Sequence, residues 1–179
     1  MARLLDDYRK NVVSRLMERF KYKNINQVPK ITKIVLSMGI GEGGRDKAIL
    51  EEAIEHMKVI TGQMPVLTKS TKSIANFKLR KGMIVGVKVT LHGKMMYEFF
   101  DRLVNVAIPR IRDFRGLPTN LDGRGNYNLG IEDLMIFPEV NIDKVKNIKG
   151  LNITITTNAK KDEEGRELLQ EMGMPFRKK

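Results

Sequence analysis

Five cations between residues 69 and 82 form the strongest chemical signal in the sequence, because no acidic residue interrupts them. The stretch also contains hydroxyl and amide side chains, such as Ser73 and Asn76, and one aromatic residue, Phe77. Cations bind phosphate groups, while neutral donors and an aromatic ring suit RNA with an irregular backbone and unstacked bases. We therefore predict a phosphate-binding loop, with an ordinary solvated, lysine-rich loop as the alternative. Its cations are Lys69, Lys72, Lys78, Arg80 and Lys81.

A second set of cations, between residues 110 and 124, is made only of arginine. The planar guanidinium group binds phosphate through two parallel hydrogen bonds and stacks on bases, so contact with RNA is one interpretation. Asp113 and Asp122 lie among these arginines, so internal Arg–Asp pairs that brace a long loop are the other interpretation. The sequence leaves both open. The four residues are Arg110, Arg112, Arg115 and Arg124.

The glycine-rich stretch 39–44 fits the G-x-G-x-x-G pattern of dinucleotide-binding turns, which lie between a strand and a helix. Three residues argue against that chemistry. Lys33 interrupts the preceding strand, Glu42 places a negative charge where a pyrophosphate would lie, and the next strand ends in Lys69 instead of an acid. The motif alone is a weak signal, so a nucleotide-binding enzyme is kept only as the alternative function.

Few other residues offer catalytic chemistry. The chain has no cysteine, which excludes disulfides, thiol nucleophiles and most structural zinc sites. It has two histidines, His56 and His92, and neither belongs to a recognisable nucleophile or metal motif. His56 lies among glutamates and is expected on the solvated side of a helix. We therefore predict a chain that is not an enzyme and that needs no cofactor or metal.

Length and charge indicate a globular protein that binds a polyanion. The 179 residues fit one domain, 1–179, and 33 Lys and Arg against 21 Asp and Glu give a net charge of +12. The longest uncharged stretches, 59–68 and 150–159, are far shorter than the ~20 residues of a membrane-spanning helix. A peripheral membrane protein ranks last, because the first helix has mixed charge. Residues 1–7 lack an apolar signal core, so a cytoplasmic location is expected.

Hydrophobic spacing predicts helices alternating with strands. Helices are expected over 3–21, from Asp46 to Gly62, from 93 to Pro109, and from Asp162 to Gly173; strands are expected over 30–38, 64–69, 83–91, 131–137 and 151–158. The strands alternate apolar and polar residues, which favours an antiparallel sheet covered on one face only. We predict an α+β fold with loops projecting at 69–82 and 109–130.

The polar face of this sheet is the third candidate for RNA contact. It would be mildly basic and rich in hydroxyl groups, whereas the alternative is an ordinary solvated face whose threonines favour strands. Its residues are Lys33, Ser37, Lys88, Thr90, Asn152, Thr154 and Thr156.

Several segments together resemble the universal L-five family of large-subunit ribosomal proteins, bacterial type. The most specific are AIPRIRDFRG at 107–116 and DGRGNY at 122–127. The others are QVPK at 27–30, TGQ at 61–63, KSIA at 72–75, VKVTL at 87–91 and GMPF at 173–176. Because these segments run in order from the first helix to the C-terminus, the resemblance is far more specific than any single motif.

The resemblance implies a curved antiparallel sheet, binding to 5S ribosomal RNA in the central protuberance, and contact with large-subunit ribosomal RNA. It further implies that the loop 69–82 approaches the elbow of P-site transfer RNA. A face near 109–145 would meet a small-subunit head protein as an intersubunit bridge. In the family, polar residues matching Ser37, Gln63 and Thr90 are associated with 5S RNA, and two of them lie on the polar face predicted above.

We therefore predict a 5S RNA site that contains Lys33 and Lys88 as well as those three residues, on a ribosomal protein that is a monomer when free. Four residues depart from the family pattern. Position 37 is Ser instead of Asn, position 71 is Thr instead of a basic residue, position 76 is Asn instead of Gly, and position 92 is His instead of Arg. The resemblance thus implies a shorter reach at Ser37 and less charge in the loop.

Overall fold

The computed structural model describes residues 3–41, 46–140 and 150–177. They belong to two compact units. The first unit comprises Met1–Ile34, Leu91–Asn128 and Thr154–Lys179, and the second comprises Val35–Thr90 and Leu129–Ile153.

The strands form one open, five-stranded antiparallel sheet, which confirms the predicted α+β class. Its strands are β1 (Ile31–Gly39), β2 (Val66–Lys69), β3 (Ile84–Leu91), β4 (Tyr127–Ile131) and β5 (Leu151–Thr157). The order across the sheet is β2-β3-β1-β5-β4. β2 pairs with β3 from Val66 opposite Lys88 to Lys69 opposite Ile84, and the register shifts between Thr68 and Lys69.

Alternation along the strands separates a buried side from a polar side, as predicted. In β5, Leu151, Ile153 and Ile155 are buried while the residues between them are exposed or half-buried. The start of β1 breaks the pattern, because Ile31 is buried and both Thr32 and Lys33 are exposed. Thr32 faces solvent, and its hydroxyl donates to the Thr156 carbonyl at 2.9 Å.

Three helical elements build the first unit. They are α1 (Arg3–Asp7, continued by a wider π-helical turn over Tyr8–Val12 and by Val13–Phe20), α3 (Gly93–Arg102, continued by a π-helical turn over Leu103–Ala107) and α4 (Asp162–Glu171). α1 buries Leu16, and α4 buries Leu168 and Leu169. Arg15 lies 2.9 Å from the half-buried Glu171 carboxylate, and Arg19 lies 2.7 Å from the carboxylate of Glu167, which is buried. Apolar burial is the main stabilising contribution in this unit, since ion pairs whose cation is exposed contribute little.

Capping fixes both ends of α2 (Lys47–Thr61) in the second unit. The Asp46 carboxylate accepts a hydrogen bond from the Ala48 N–H at 2.9 Å, and Gly62 ends the helix at φ 70°. Both ends confirm the prediction. His56 differs, because only 8% of it is exposed and it lies on the buried side of α2. Charged neighbours in sequence had suggested a solvated position, but a helix places successive residues on different sides.

Two further boundaries depart from the prediction. The strand expected over 131–137 ends at Ile131, and a 3₁₀ turn follows over Leu134–Ile136, with the Asp133 carboxylate accepting from the Met135 N–H. β4 therefore takes up the end of the loop expected over 109–130. The helix expected to stop before Pro109 continues into a 3₁₀ turn over Ile108–Arg110, where proline needs no N–H partner.

Buried tyrosines make the first unit sensitive to alkaline pH. Tyr8 donates to the Pro29 carbonyl at 3.0 Å and Tyr127 to the Pro118 carbonyl at 2.9 Å. Burial raises the pKa of each phenol from 10.0 to about 12, and Tyr97 adds to the effect at Tyr8. The folded state thus binds these protons more tightly than the unfolded state does. Their stabilisation is complete below pH 10.0 and is lost as the pH rises toward about 12.

Denaturant unfolding measured across this window should show the free energy of unfolding falling with pH. In the double variant Tyr8→Phe, Tyr127→Phe the free energy of unfolding should fall less steeply with pH, because the variant lacks both titrating phenol groups. Equal slopes for the two proteins would contradict the assignment to these phenols.

Candidate nucleic-acid interface

The basic loop, residues 69–82, is the connection of the β2–β3 hairpin in the second unit. The Ser70 N–H donates to the Met83 carbonyl at 2.8 Å, and the Gly82 N–H donates to the Ser70 carbonyl at 2.9 Å. These bonds continue the hairpin beyond the strands and fix both ends of the loop.

Inside the basic loop, a second antiparallel bridge joins Ile74 and Leu79. Each N–H donates to the other's carbonyl, at 3.0 and 3.1 Å. Between them lie a 3₁₀ turn over Ala75–Phe77 and Lys78 in the left-handed region at φ 51°. Ser73 Oγ accepts from the Lys81 N–H at 3.0 Å. The loop therefore has its own backbone hydrogen bonds, so a partner would have less conformational entropy to remove on binding.

The loop's functional side chains face solvent. All five predicted cations are exposed, as are Ser73 and Asn76. Phe77 is 68% exposed and lines an open cleft of about 310 Å³ together with Leu79 and Val85. An exposed aromatic ring beside exposed cations can stack on an unpaired base while the cations contact phosphates. The cations, the neutral donors and Phe77, which the sequence placed in one loop, are thus exposed together on that loop.

The predicted 5S RNA residues of the second unit lie on adjacent strands and at the end of α2. Ser37 on β1 and Thr90 on β3 are half-buried, whereas Lys88 is exposed. Gln63 is exposed and follows the C-cap of α2, where its N–H donates to Thr61 Oγ1 at 3.2 Å. Its backbone is thereby fixed while its amide side chain remains accessible.

The first unit contributes its own polar strand positions. Lys33 is exposed on β1, and Thr154 on β5 donates to Asn128 Oδ1 on β4 at 2.8 Å. Asn128 was absent from the predicted polar face because β4 was placed too late in the sequence. A strand beginning at Tyr127 presents Asn128 on the same side as Thr154.

The four arginines of the second cationic set are all exposed. Within the described part of the chain, none of them forms an ion pair. The Asp122 carboxylate instead accepts from the Arg124 N–H at 2.8 Å, the Asn126 N–H at 3.0 Å and Asn126 Nδ2 at 2.7 Å. The bond from the Asn126 side chain is the largest cause that lowers the pKa of Asp122. Internal Arg–Asp bracing is thus wrong here, and the guanidinium groups remain accessible.

Asp162 anchors the turn that carries Arg124. One of its carboxylate oxygens accepts from the Gly123 N–H at 3.0 Å and the other from the Gly125 N–H at 2.8 Å. The Thr157 hydroxyl donates to the Gly125 carbonyl at 2.8 Å. The sequence predicted only that a helix begins at Asp162. Its distance along the chain from the turn concealed this role.

The nucleotide-binding alternative lacks its structural context. A dinucleotide turn joins parallel strands of a doubly wound sheet, whereas here β3 lies between β1 and β2 in an antiparallel sheet. Gly41 has φ 59°, and the rest of the predicted turn, Glu42–Gly44, lies outside the described residues. The dinucleotide interpretation is therefore wrong.

The described residues offer neither a metal site nor a membrane-spanning helix. They contain no group of three or more His, Cys, Asp or Glu side chains arranged to hold a metal ion. Of the helices described, none has both the length and the apolar character needed to cross a membrane.

Comparison with known proteins identifies the family. The family model described as Ribosomal protein L5 matches residues 24–80, and that described as ribosomal L5P family C-terminus matches residues 84–176. Proteins named Large ribosomal subunit protein uL5 are similar to the chain along its length. That of Geotalea daltonii is 56% identical over 178 residues, 99% of both chains, and that of Marinomonas sp. is 55% identical over 179 residues, 99% of this chain and 100% of the relative. The chain therefore belongs to the ribosomal protein L5 family.

Proposed function

We propose that this protein of the large ribosomal subunit binds 5S ribosomal RNA, contacts large-subunit ribosomal RNA, and reaches P-site transfer RNA through the basic loop. A ribosomal protein works on the ribosome, in the cytoplasm, among ribosomal RNA and other ribosomal proteins. Its relatives are ribosomal proteins and not enzymes, so the prediction of a non-catalytic chain is confirmed.

The observation that carries the proposal is the basic loop, whose exposed cations and exposed Phe77 stand on a backbone with its own hydrogen bonds. The loop contains no acid, so none of its own residues offsets the charge of its cations. Such a loop suits the bend of a folded RNA, where phosphates crowd together and bases are unstacked. Transfer RNA has such a bend at its elbow.

The 5S RNA site is supported by the chemistry of the polar strand residues. Ser37 and Thr90 offer hydroxyl groups, Gln63 offers an amide, and Lys33 and Lys88 offer charge. Hydroxyls and amides bind ribose hydroxyl groups and base edges, while the lysines supply affinity for phosphate.

The intersubunit bridge is proposed for the region around Arg110, Arg112, Arg115 and Arg124. Their exposure leaves them free for ribosomal RNA or for an acidic face of a small-subunit head protein. Residues 141–145 of the face expected over 109–145 lie outside the described residues.

Replacing Thr90 by valine should weaken 5S RNA binding by about 1–2 kcal/mol, because an RNA group would lose its partner in a buried contact. Filter binding of the folded variant measures the loss. Thr90→Ser, which keeps the hydroxyl, is the matched control and should bind nearly as the parent does. If valine and serine give the same affinity as threonine, the Thr90 hydroxyl is not in the site.

A salt series of 5S RNA binding tests the whole proposal. Each neutralised phosphate contributes about 0.7–0.9 to the slope of log affinity against log salt concentration. A steep slope with nanomolar affinity at low salt is the expected result. Weak, salt-insensitive binding would overturn the assignment to 5S RNA.

A further inference from the structure

The first unit holds a cluster of cations of which only Arg124 belongs to the loops and sheet positions discussed above. α1 ends at Lys21 in the left-handed conformation, φ 53°, and the chain then turns away from the helix. Tyr22 follows, half-buried beside Glu164 of α4; burial is the main cause that raises its pKa to about 12, and the Glu164 carboxylate adds to it. Lys21 and Lys23 therefore flank a residue that lies against the start of α4.

Backbone hydrogen bonds bring further lysines to the same place. The Lys30 N–H donates to Asn158 Oδ1 at 2.6 Å, and the Asn158 N–H donates to the Lys30 carbonyl at 3.1 Å. The chain continues from Asn158 to Lys160 and Lys161, and the Lys160 N–H donates to Glu164 Oε2 at 3.1 Å. Two hydrogen bonds between Lys30 and Asn158 thus tie the segment 21–30 to 158–161.

The turn that carries Arg124 meets the same segment. A methyl group added at Gly125 would lie 2.7 Å from Ala159 Cβ and 3.3 Å from the Lys161 carbonyl oxygen, so this backbone is in close contact with 159–161. Arg124 is exposed beside it. The cations that this packing gathers are all exposed; they are Lys21, Lys23, Lys30, Lys160, Lys161 and Arg124.

Four acids lie beside these cations along the chain. Asp122 and Asp162 accept hydrogen bonds from backbone N–H groups of the Arg124 turn, Glu164 accepts from the Lys160 N–H, and Glu163 is exposed. A carboxylate that accepts such a bond keeps its negative charge, so all four offset part of the six positive charges. From residue 19 to residue 41 the chain has no acid at all. The cluster therefore keeps an excess of two positive charges over these acids.

We propose that Lys21, Lys23, Lys30, Lys160, Lys161 and Arg124 form a second cationic surface that binds RNA phosphate groups. This inference rests on the proposed function and adds a contact that is separate from the basic loop and from the 5S RNA residues. The exposed amides of Asn26 and Gln27 beside the lysines suit ribose and phosphate oxygens. An anionic membrane fits less well, because Ile25 alone supplies a large exposed apolar side chain within 21–30.

The test compares two triple variants with equal loss of charge. Lys23→Gln, Lys30→Gln, Lys160→Gln removes half of the second cationic surface. Lys10→Gln, Lys58→Gln, Lys94→Gln removes the same charge from exposed positions elsewhere. Filter binding is measured against a 5S RNA transcript and, separately, a large-subunit RNA transcript, each over a salt series. A lysine-to-arginine version of the first triple keeps the charge, and thermal unfolding confirms that each variant folds.

The first triple should lower the salt slope by about 2 for at least one RNA, since each lost phosphate contact removes about 0.7–0.9. The arginine version should restore it, and the control triple should leave the slope nearly unchanged. A loss with one transcript identifies which RNA supplies the phosphates. Unchanged slopes with both transcripts, an equal loss in the control, or retention on anionic phosphatidylserine vesicles without RNA binding would each overturn the inference. If 5S binding still responds to Thr90→Val, the proposed function survives that failure.

Discussion

Replacing Gly165 by alanine is expected to lower the free energy of unfolding by about 3 kcal/mol, although alanine ordinarily stabilises a helix by about 1 kcal/mol relative to glycine. Gly165 lies inside α4, and a methyl group there would lie 2.5 Å from the Gly125 carbonyl oxygen and 2.8 Å from its Cα. Both are backbone atoms, so no flexible side chain can move aside. The turn is itself held by Asp162 and Thr157, which opposes any displacement.

Urea unfolding of the variant measures this loss, and Gly39→Ala is the matched control. Nothing lies within 4 Å of a methyl group at Gly39, so the control should change stability by less than about 1 kcal/mol. Hydrogen exchange should also quicken at the Gly123 and Gly125 amides in the Gly165 variant alone. A stabilised Gly165→Ala protein would show that helix propensity outweighs the contact.

Changing Lys78, Arg80 and Lys81 together to glutamine is expected to weaken transfer RNA binding in the P site by about 100-fold. An exposed ion pair contributes up to about 1 kcal/mol, and three of them amount to about two decades in affinity. The measurement is the dissociation constant of transfer RNA on ribosomes reconstituted with the variant. Binding of isolated 5S RNA should remain nearly intact, because that site is assigned to other residues.

The control triple at Lys10, Lys58 and Lys94 removes equal charge and should leave transfer RNA binding within a few-fold of the parent. The variant Phe77→Leu tests the stacking of the ring separately, because it removes the aromatic ring while keeping an apolar side chain. A large loss of 5S affinity from the loop triple would refute the assignment of the basic loop to transfer RNA.

Sequence patterns correctly predicted those elements whose structure depends on interactions between residues close in sequence. The alternation along β5 and from Val87 to Leu91 in β3, and the Asp46 and Gly62 caps of α2, follow from residues close in sequence, so they were correctly predicted. The sequence also predicted that the cations of the basic loop and Phe77 lie together, because all of them fall within residues 69–82. The family resemblance predicted the class of protein, a ribosomal protein, and the basic loop and the polar strand residues are consistent with that class.

Contacts between distant residues could not be predicted in this way. Asp162 binds amides at Gly123 and Gly125, and Lys30 meets Asn158; neither pair has any local signature. His56 was misplaced because Glu55, directly beside it in sequence, lies on an exposed side of the helix while His56 lies on the buried side. β4 was displaced because glycines and polar residues before Ile131 indicated a loop, whereas pairing with β5 makes them a strand.

The ion pairs Arg15–Glu171 and Arg19–Glu167 have a consequence for biosynthesis. α1 leaves the ribosomal exit tunnel well before its α4 partners, which are translated more than a hundred residues later. Arg15 and Arg19 therefore lack these two carboxylates until α4 has been synthesised. Nascent chains stalled before residue 162 accordingly contain α1 without either ion pair.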